Sequence, residues 1–532
     1  MGGYKMHEIA KWDLDSLYSN EDILTPILEL KEQFFVTKDI GILSNLIQAI
    51  EKAEYYLYCR LTEESVSSDI TRLTMKVKEL KSEVQQVIQQ SKVEITDNTR
   101  LIKDELHAWE NMYIQLRNRI EIEHNNKQLS FGQANHVAMN SDNEKERLEV
   151  FESLICALHK EKEIFATVLN QIGRLRNTKG NELEDREILA RSLHANGISE
   201  TVLLQIWNAT EENLDKLVSA LNVYKKGRAS ITWHELMTVK ENNEVSIPFS
   251  VAVQNIYDAL KNIDEELAEF ARHAIESGWV DAEPRENKPP GGFCAPFFSE
   301  KESRISMRYD GSIDSVRILA HELGHAWHFY NMSFEQSSSF LDDYLPMSTA
   351  ESASIFFETL LINYLIQTTD SIDIKKSLLS WKIRNCFNYI MAIRASFEFE
   401  KNFYEKCKVS PLSADQIEKL SIVAQEKAYG NSLSEYQPFV WMKYVQFYLA
   451  DVPFYNYPYT FGYLASFSLL EIAKERKSTF HLKYKEFLRE TGKNSVEELM
   501  KKHFEINITS YEFWDKAFKQ ISKDIDEYLQ LM

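Results

Sequence analysis

Proline, glycine and cysteine are all scarce in this 532-residue chain, and each scarcity narrows the possibilities. Eleven prolines and sixteen glycines leave few places to break a helix, so long helices are expected to dominate. The five cysteines (Cys59, Cys156, Cys294, Cys386 and Cys407) are odd in number, widely spaced and without a CxxC pair. That argues against a disulfide framework and fits a reducing compartment, where thiols serve as small buried hydrophobes. No apolar run approaches the ~20 residues of a membrane span, and the opening "MGGYKMHEIAKWDLDSLYSN" lacks the apolar core of a secretory signal. The expected location is the cytoplasm. Basic residues are outnumbered too: 61 Lys and Arg face 81 Asp and Glu, a formal charge of −20. A nucleic-acid partner needs clustered cations and is not expected; the acidic surface is read as solubilising.

What is present is the pattern of a soluble globular chain, 44% hydrophobic and 27% charged, long enough for two to four domains. Residues 60–125, including "ITRLTMKVKELKSEVQQVIQQSKVEI", place apolar side chains every third or fourth position, the period of an amphipathic helix. "EKERLEVFESLICALHKEKEIFATVLNQIGRLRN" and "SETVLLQIWNATEENLDKLVSALNVYKKGRAS" read the same way. The heptad register drifts too much for a long coiled coil, so packed helices are expected instead. One region breaks this texture. "DAEPRENKPPGGFCAPFFSEKESRISMRYDGS" (281–312) holds Pro284, Pro289, Pro290, Gly291, Gly292 and Pro296. It reads as a loop, then the strand "SRISMRY", then a turn. A helix resumes at "IDSVRILAHELGHAWHFYNM", with Ser312 or Asp314 as N-cap. The fold class is mainly α, with a small β element ahead of this helix.

The five residues HELGH carry the chemistry. His321 and His325 are four apart, so on a helix both imidazoles leave one face, one turn apart. That spacing suits one Zn²⁺ held by both rings. Glu322 sits where its carboxylate can take a proton from a water at the metal. Without a metal, the polar groups of "RILAHELGHAWHFY" would be buried in a mostly apolar helix without partners.

A catalytic zinc site takes a third protein ligand. The metzincin extension requires Gly and His at positions held here by His328 and Asn331, so that class is excluded. Glu335 follows too closely for the chain to turn back, and Asp342 and Asp343 fall in the connecting loop. "STAESASIFFETLLINYLI" is the better source, a helix beginning near Ser348 with Glu351 in its first turn among small residues. Glu358 lies two turns on, on the same face. Glu351 is therefore the expected third ligand. Glu358 is expected to orient a ligand histidine through its other ring nitrogen.

"HELGH" followed by "AESASIFFE" resembles the M3 family of zinc metallopeptidases, the oligoendopeptidase F and thimet oligopeptidase group. "GGFCAPFFSEKESRISMRYDGSIDSVRILAHELGHAWH" and "DVPFYNYPYTFGYLASF" are similar to its bacterial Pz-peptidase-like branch, as is the opening "KWDLDSLY". The resemblance is convincing over residues 170–470 and also implies Glu351 as third ligand. It implies an elongated, multi-helix zincin-type molecule with a deep substrate channel, one zinc per chain, and hydrolysis of short unstructured oligopeptides. On this reading residues 1–185 form an N-terminal helical domain and 186–532 the catalytic domain, with a small sheet near 296–310. It also implies oxyanion donors from a Tyr-rich segment after the zinc helices. "YVQFYLADVPFYNYPYTFGYLASF" contains Tyr444, Tyr448, Tyr455, Tyr457, Tyr459 and Tyr463. Tyr457 and Tyr463 are the first choices and Tyr455 the next, because a phenol donates a hydrogen bond without carrying charge; packing in a core is the plain alternative. In similar proteins a His often precedes "FY" where this chain has Gln446, and no histidine lies between His328 and His481.

The strand "SRISMRY" offers an exposed edge that could hold a peptide main chain by β-augmentation, with a plain structural hairpin as the alternative. Cys294 has no evident base to activate it and reads as structural. Three functions follow: a zinc endopeptidase, a zinc-bound but catalytically weakened peptide-binding protein, and a helical scaffold with a fortuitous HELGH.

Overall fold

Helices of 21, 25, 23 and 33 residues (Ile40–Arg60, Ser68–Lys92, Asp97–Arg119 and Glu144–Arg176) fill stretches that hold no proline and at most one glycine each. The longest is built to its full length by its ends. Asn143 caps it through the N–H groups of Lys145 and Glu146, acids occupy its first turn and Arg174 and Arg176 its last, complementing the helix dipole. The computed structural model describes residues 9–18, 22–63, 66–92, 97–178, 187–225, 228–238, 246–286, 288–289, 291–332 and 345–532, and these are mainly helical. Glu335, Asp342, Asp343 and Pro290 lie outside the described residues.

Contacts divide the chain into two interleaved units. The first comprises Met1–Glu94, Asn243–Leu378 and Gly462–Ala517; the second comprises Ile95–Asn242, Leu379–Phe461 and Phe518–Met532. The boundary expected at 185/186 falls inside the Ile95–Asn242 stretch of the second unit.

Two small sheets interrupt the helices. In the second unit β1 (Glu121–His124) pairs antiparallel with β2 (Lys127–Ser130). Asn125 and Asn126 turn this hairpin with φ of 51° and 60°, the left-handed pair that a two-residue hairpin turn requires. A helical reading of residues up to 125 therefore fails at its end, where "EIEHNNKQLS" alternates with period two about an Asn-Asn turn.

In the first unit β3 (Val280–Asp281), β4 (Gly292–Phe297) and β5 (Glu302–Met307) form a sheet in the order β3-β5-β4. β5 pairs parallel with β3 and antiparallel with β4. "SRISMRY" is thus the central strand and not the exposed edge expected of it. The outer strand is β4, although its glycine and proline suggest loop. Pro296 lies opposite Ser303, and an outer strand tolerates a residue with no N–H to donate. Lys288 clamps this sheet from within. Its buried ammonium donates to the carbonyls of Asp281 and Met307, both at 2.8 Å, and pairs with the Asp281 carboxylate at 2.9 Å. The N-terminal helices bury Leu46, Ile50, Leu57 and Val84 against Ala295 and Phe297 of β4.

The second unit is organised around the 33-residue helix. Tyr113 stacks on Tyr448 at 3.8 Å between ring centroids and donates its hydroxyl to the Met442 carbonyl. Nearby Glu400, 2% exposed, accepts hydrogen bonds from the Tyr404 hydroxyl and the Phe454 N–H, both at 3.1 Å. Burial pushes its carboxyl up to about 7, against the opposing charge of Arg176.

Candidate metal centre

The HELGH sequence lies on a helix running Ile313–Asn331, hereafter the motif helix. Ser312 is its N-cap, accepting the Ser315 N–H, and Asp314 sits in the first turn. Val316, Leu319, Ala320, Leu323 and Trp327 are buried along it. The residues that follow form a short helical turn, Met347–Ala350, and then the helix Ser352–Thr368, hereafter the glutamate helix. The single helix expected from Ser348 is therefore two pieces joined at Glu351, whose φ of −88° and ψ of 0° mark the junction.

Gly324, the glycine of HELGH, sets how closely these helices meet. A Cβ there would lie 2.5 Å from the Ala353 carbonyl oxygen and 2.6 Å from the Ser354 Cα. Only a residue with no side chain fits, and the small Ser352, Ala353 and Ser354 present a flat surface to it. This approach carries Glu351 over the histidines.

His321 Nε2 lies 3.4 Å and His325 Nε2 3.5 Å from the same oxygen, Glu351 Oε2. The three ligand atoms lie within 4.8 Å of one another. Their side chains are partly open, 21%, 17% and 19% exposed. Ser354 donates its hydroxyl to Glu351 Oε2 at 2.8 Å. On the far side of the first ring, His321 Nδ1 is 3.2 Å from Glu358 Oε2, which also accepts from Arg317 Nη1 at 3.0 Å. Two imidazole nitrogens and one carboxylate oxygen, with a carboxylate behind one ring, are the donor set that zinc takes at an open site.

The electrostatics follow from burial and these neighbours. Burial alone lowers the proton affinity of His321, but its hydrogen bond to Glu358 and the charges of Glu322, Glu358 and Glu351 outweigh it and raise the ring to about 9. His325 has fewer such neighbours, and burial lowers it to about 4. Burial opposes the charge of Glu358, yet Arg317 and His321 hold its carboxyl below the usual range. Glu322, 5% exposed, is pushed up to about 7 chiefly by burial, with His321 acting against the shift. Its carboxylate faces the start of β4: a Cβ added at Gly292 would come within 2.7 Å of Glu322 Oε1. Cys294, two residues on, is a free, partly buried thiol that burial holds well above its ordinary range.

The tyrosines divide between the units. Tyr463 belongs to the first, as do the histidines, on the helix Tyr457–Glu475. Gly462 beside it packs on Glu351, its Cβ position 3.7 Å from that of Glu351. The Tyr463 ring is buried edge-on to Phe467. Tyr457 and Tyr455 belong to the second unit. The Tyr457 hydroxyl is 3.3 Å from Ser192 Oγ, and burial pushes it far above its ordinary range. The Tyr455 hydroxyl pairs with that of Tyr459 at 3.1 Å. Gln446 lies in a short 3₁₀ turn, Val445–Phe447, also in the second unit. His328, one turn beyond His325, is fully buried and bonded to Thr491 Oγ1 at 2.8 Å.

Arg317, Ser354, Gly324 and Gly292 are the site residues that motif reading misses. Arg317 had a usable signal, four residues before His321 on the same face; Ser354 had only its place three residues after Glu351.

The motif helix thus carries paired imidazoles that face one carboxylate from the next helix. Comparison with known proteins makes this specific. The profile of peptidase family M3 matches residues 137–520, well over half the chain, and the chain belongs to that family. Oligoendopeptidase F, chromosomal, from Lactococcus lactis subsp. cremoris is 22% identical over 399 residues, 74% of this chain and 65% of that protein. An oligoendopeptidase F homolog from Borreliella burgdorferi is 27% identical over 316 residues, 56% of this chain and 51% of that protein. Both matches span less than two thirds of the relative's own length. Oligopeptidase PepF of Bacillus subtilis is 22% identical over 490 residues, 91% of this chain and 70% of that protein. Among solved structures, one from Chlamydophila abortus superposes with a TM-score of 0.80 at 18% identity, covering 98% of both chains. Oligoendopeptidase-F from Enterococcus faecium gives 0.63 at 17% identity, covering 97% of this chain and 98% of its own. At these identities the likeness establishes the fold.

Proposed function

We propose that the chain is a zinc-dependent endopeptidase that hydrolyses short, unstructured oligopeptides. The observation that carries this reading is the convergence of His321 Nε2, His325 Nε2 and Glu351 Oε2 beside Glu322. When bound there, zinc supplies a Lewis acid that polarises water and the scissile carbonyl. Glu322 takes a proton from the attacking water, whose oxygen bonds to the carbonyl carbon, and gives that proton to the departing nitrogen as the C–N bond breaks. Glu358 holds the His321 ring by its Nδ1, and Ser354 holds the Glu351 carboxylate.

The outer strand β4 takes over the substrate-holding role first expected of "SRISMRY". Among the described residues no strand pairs with its second edge, and it begins at Gly292 against Glu322. Main-chain pairing there binds peptides with little regard to side chain. Tyr463 is the phenol assigned to the developing oxyanion; Tyr457 and Tyr455 are retained as further candidates. Gln446 favours one second reading, a zinc-bound but weakened peptide binder, because an amide can neither carry a proton nor a positive charge.

The test is mass spectrometry of products from a set of unstructured oligopeptides and one folded protein. Cleavage at internal bonds of the peptides, with the folded protein intact, is expected. Zinc binding without cleavage at any pH between about 5 and 9, where histidine and metal-site chemistry operates, selects the second reading.

A further inference from the structure

We propose that Arg317 is a positioning residue for the metal centre, acting through Glu358 to fix which nitrogen of His321 faces His325 and Glu351. The inference rests on the zinc reading above. One oxygen, Glu358 Oε2, is shared: it accepts from Arg317 Nη1 at 3.0 Å and faces His321 Nδ1 at 3.2 Å. Arg317 and His321 are one helical turn apart, so guanidinium and imidazole leave the same face of the motif helix. Glu358 reaches both from the glutamate helix, its side chain 6% exposed against 21% for each of them.

The consequence is geometric. A carboxylate accepting from Nδ1–H leaves the His321 Nε2 lone pair to face Glu351 Oε2, 3.4 Å away. A carboxylate held by the imidazole alone can rotate about its last torsion and release the ring. Arg317 closes that freedom from the other side, and it supplies the counter-charge a buried carboxylate needs. The guanidinium is itself held, with its Nε 3.4 Å from Asp314 Oδ1. A plain helix-to-helix ion pair would leave the same contacts, but it would act on stability and not on the metal.

The experiment measures zinc affinity by chelator competition and the cobalt(II) absorption spectrum for wild type, Arg317→Met, Arg317→Lys, Glu358→Gln and Arg317→Met/Glu358→Gln. Metal-free melting curves accompany each. Arg317→Met is expected to weaken zinc binding about 10–100-fold, the usual cost of losing a partner behind a ligand, with an altered cobalt spectrum; the metal-free melt falls as well, because Glu358 loses its counter-charge. Glu358→Gln is expected to cost as much, and the double variant no more than the worse single, because the two act as one relay. Arg317→Lys, which keeps the charge, recovers part of the affinity and carries the comparison if the Met variant does not fold. Wild-type zinc affinity in Arg317→Met, or losses that multiply in the double variant, overturns the inference. A wild type that binds no zinc instead defeats the zinc reading on which it rests, and the inference with it.

Discussion

Glu351 Oε2 faces two imidazole nitrogens and a serine hydroxyl at once, so its carboxylate has little orientational freedom to lose on binding a cation. Glu351→Ala is expected to lower zinc affinity at least 100-fold, on the order of 3 kcal/mol, read as zinc content after dialysis; full zinc content would mean that Glu351 is not the third ligand. Glu322 has another task. Glu322→Gln keeps the shape beside Gly292 but cannot take a proton. It is expected to lower kcat by about 10²–10⁴-fold, the usual worth of a general base, with zinc content unchanged. The placement of these residues was legible because helix geometry turns spacing into direction: four residues put His321 and His325 together, and seven put Glu358 on the face of Glu351. Ser354 was not, because it acts on a side chain whose position depends on how closely two helices pack; the spacing of Arg317 from His321 was visible, but not the carboxylate that joins them.

Between elements the decisive contact is Gly324 on Ala353 and Ser354. A methyl group at Gly324 must push the helices apart, and Gly324→Ala is expected to cost about 1–3 kcal/mol, as overpacking usually does. It should also lower zinc affinity, because the movement withdraws Glu351 from the histidines. Chemical denaturation with a parallel zinc titration checks both, and an unchanged affinity would break the link between this approach and the site. Gly292→Ala places a methyl 2.7 Å from Glu322 Oε1 and is expected to lower kcat at least tenfold, about 1.4 kcal/mol, with zinc retained. β4 escaped the sequence reading because Gly292 and Pro296 are breakers by composition, tolerated at a sheet edge. The β1–β2 hairpin escaped for the opposite reason: eight strand residues flanked by long helices are absorbed into the helical period.

For the molecule as a whole, the mainly helical class was legible from the scarcity of proline and glycine, whereas the interleaving of the two units was not. It depends on contacts between residues hundreds of positions apart, such as the rings of Tyr55 and Phe297, and no local pattern encodes them. Stability at this scale carries a pH signature from Glu400. Its carboxyl ionises near 7 in the folded chain against 4.5 ordinarily. Between those values the folded state keeps a proton that the unfolded state has released, so this contribution to stability is full below pH 4.5 and is lost as pH rises through 7. Relative to wild type, Glu400→Gln should therefore gain about 3 kcal/mol between pH 4.5 and 8, read from urea midpoints; a constant difference would contradict it. The central claim is tested most directly by stripping the protein of metal and titrating zinc back while following cleavage of an internally quenched oligopeptide. Turnover should be absent at first, rise linearly and level off at one zinc per chain; cleavage that persists without metal, or none at one equivalent, would contradict the account.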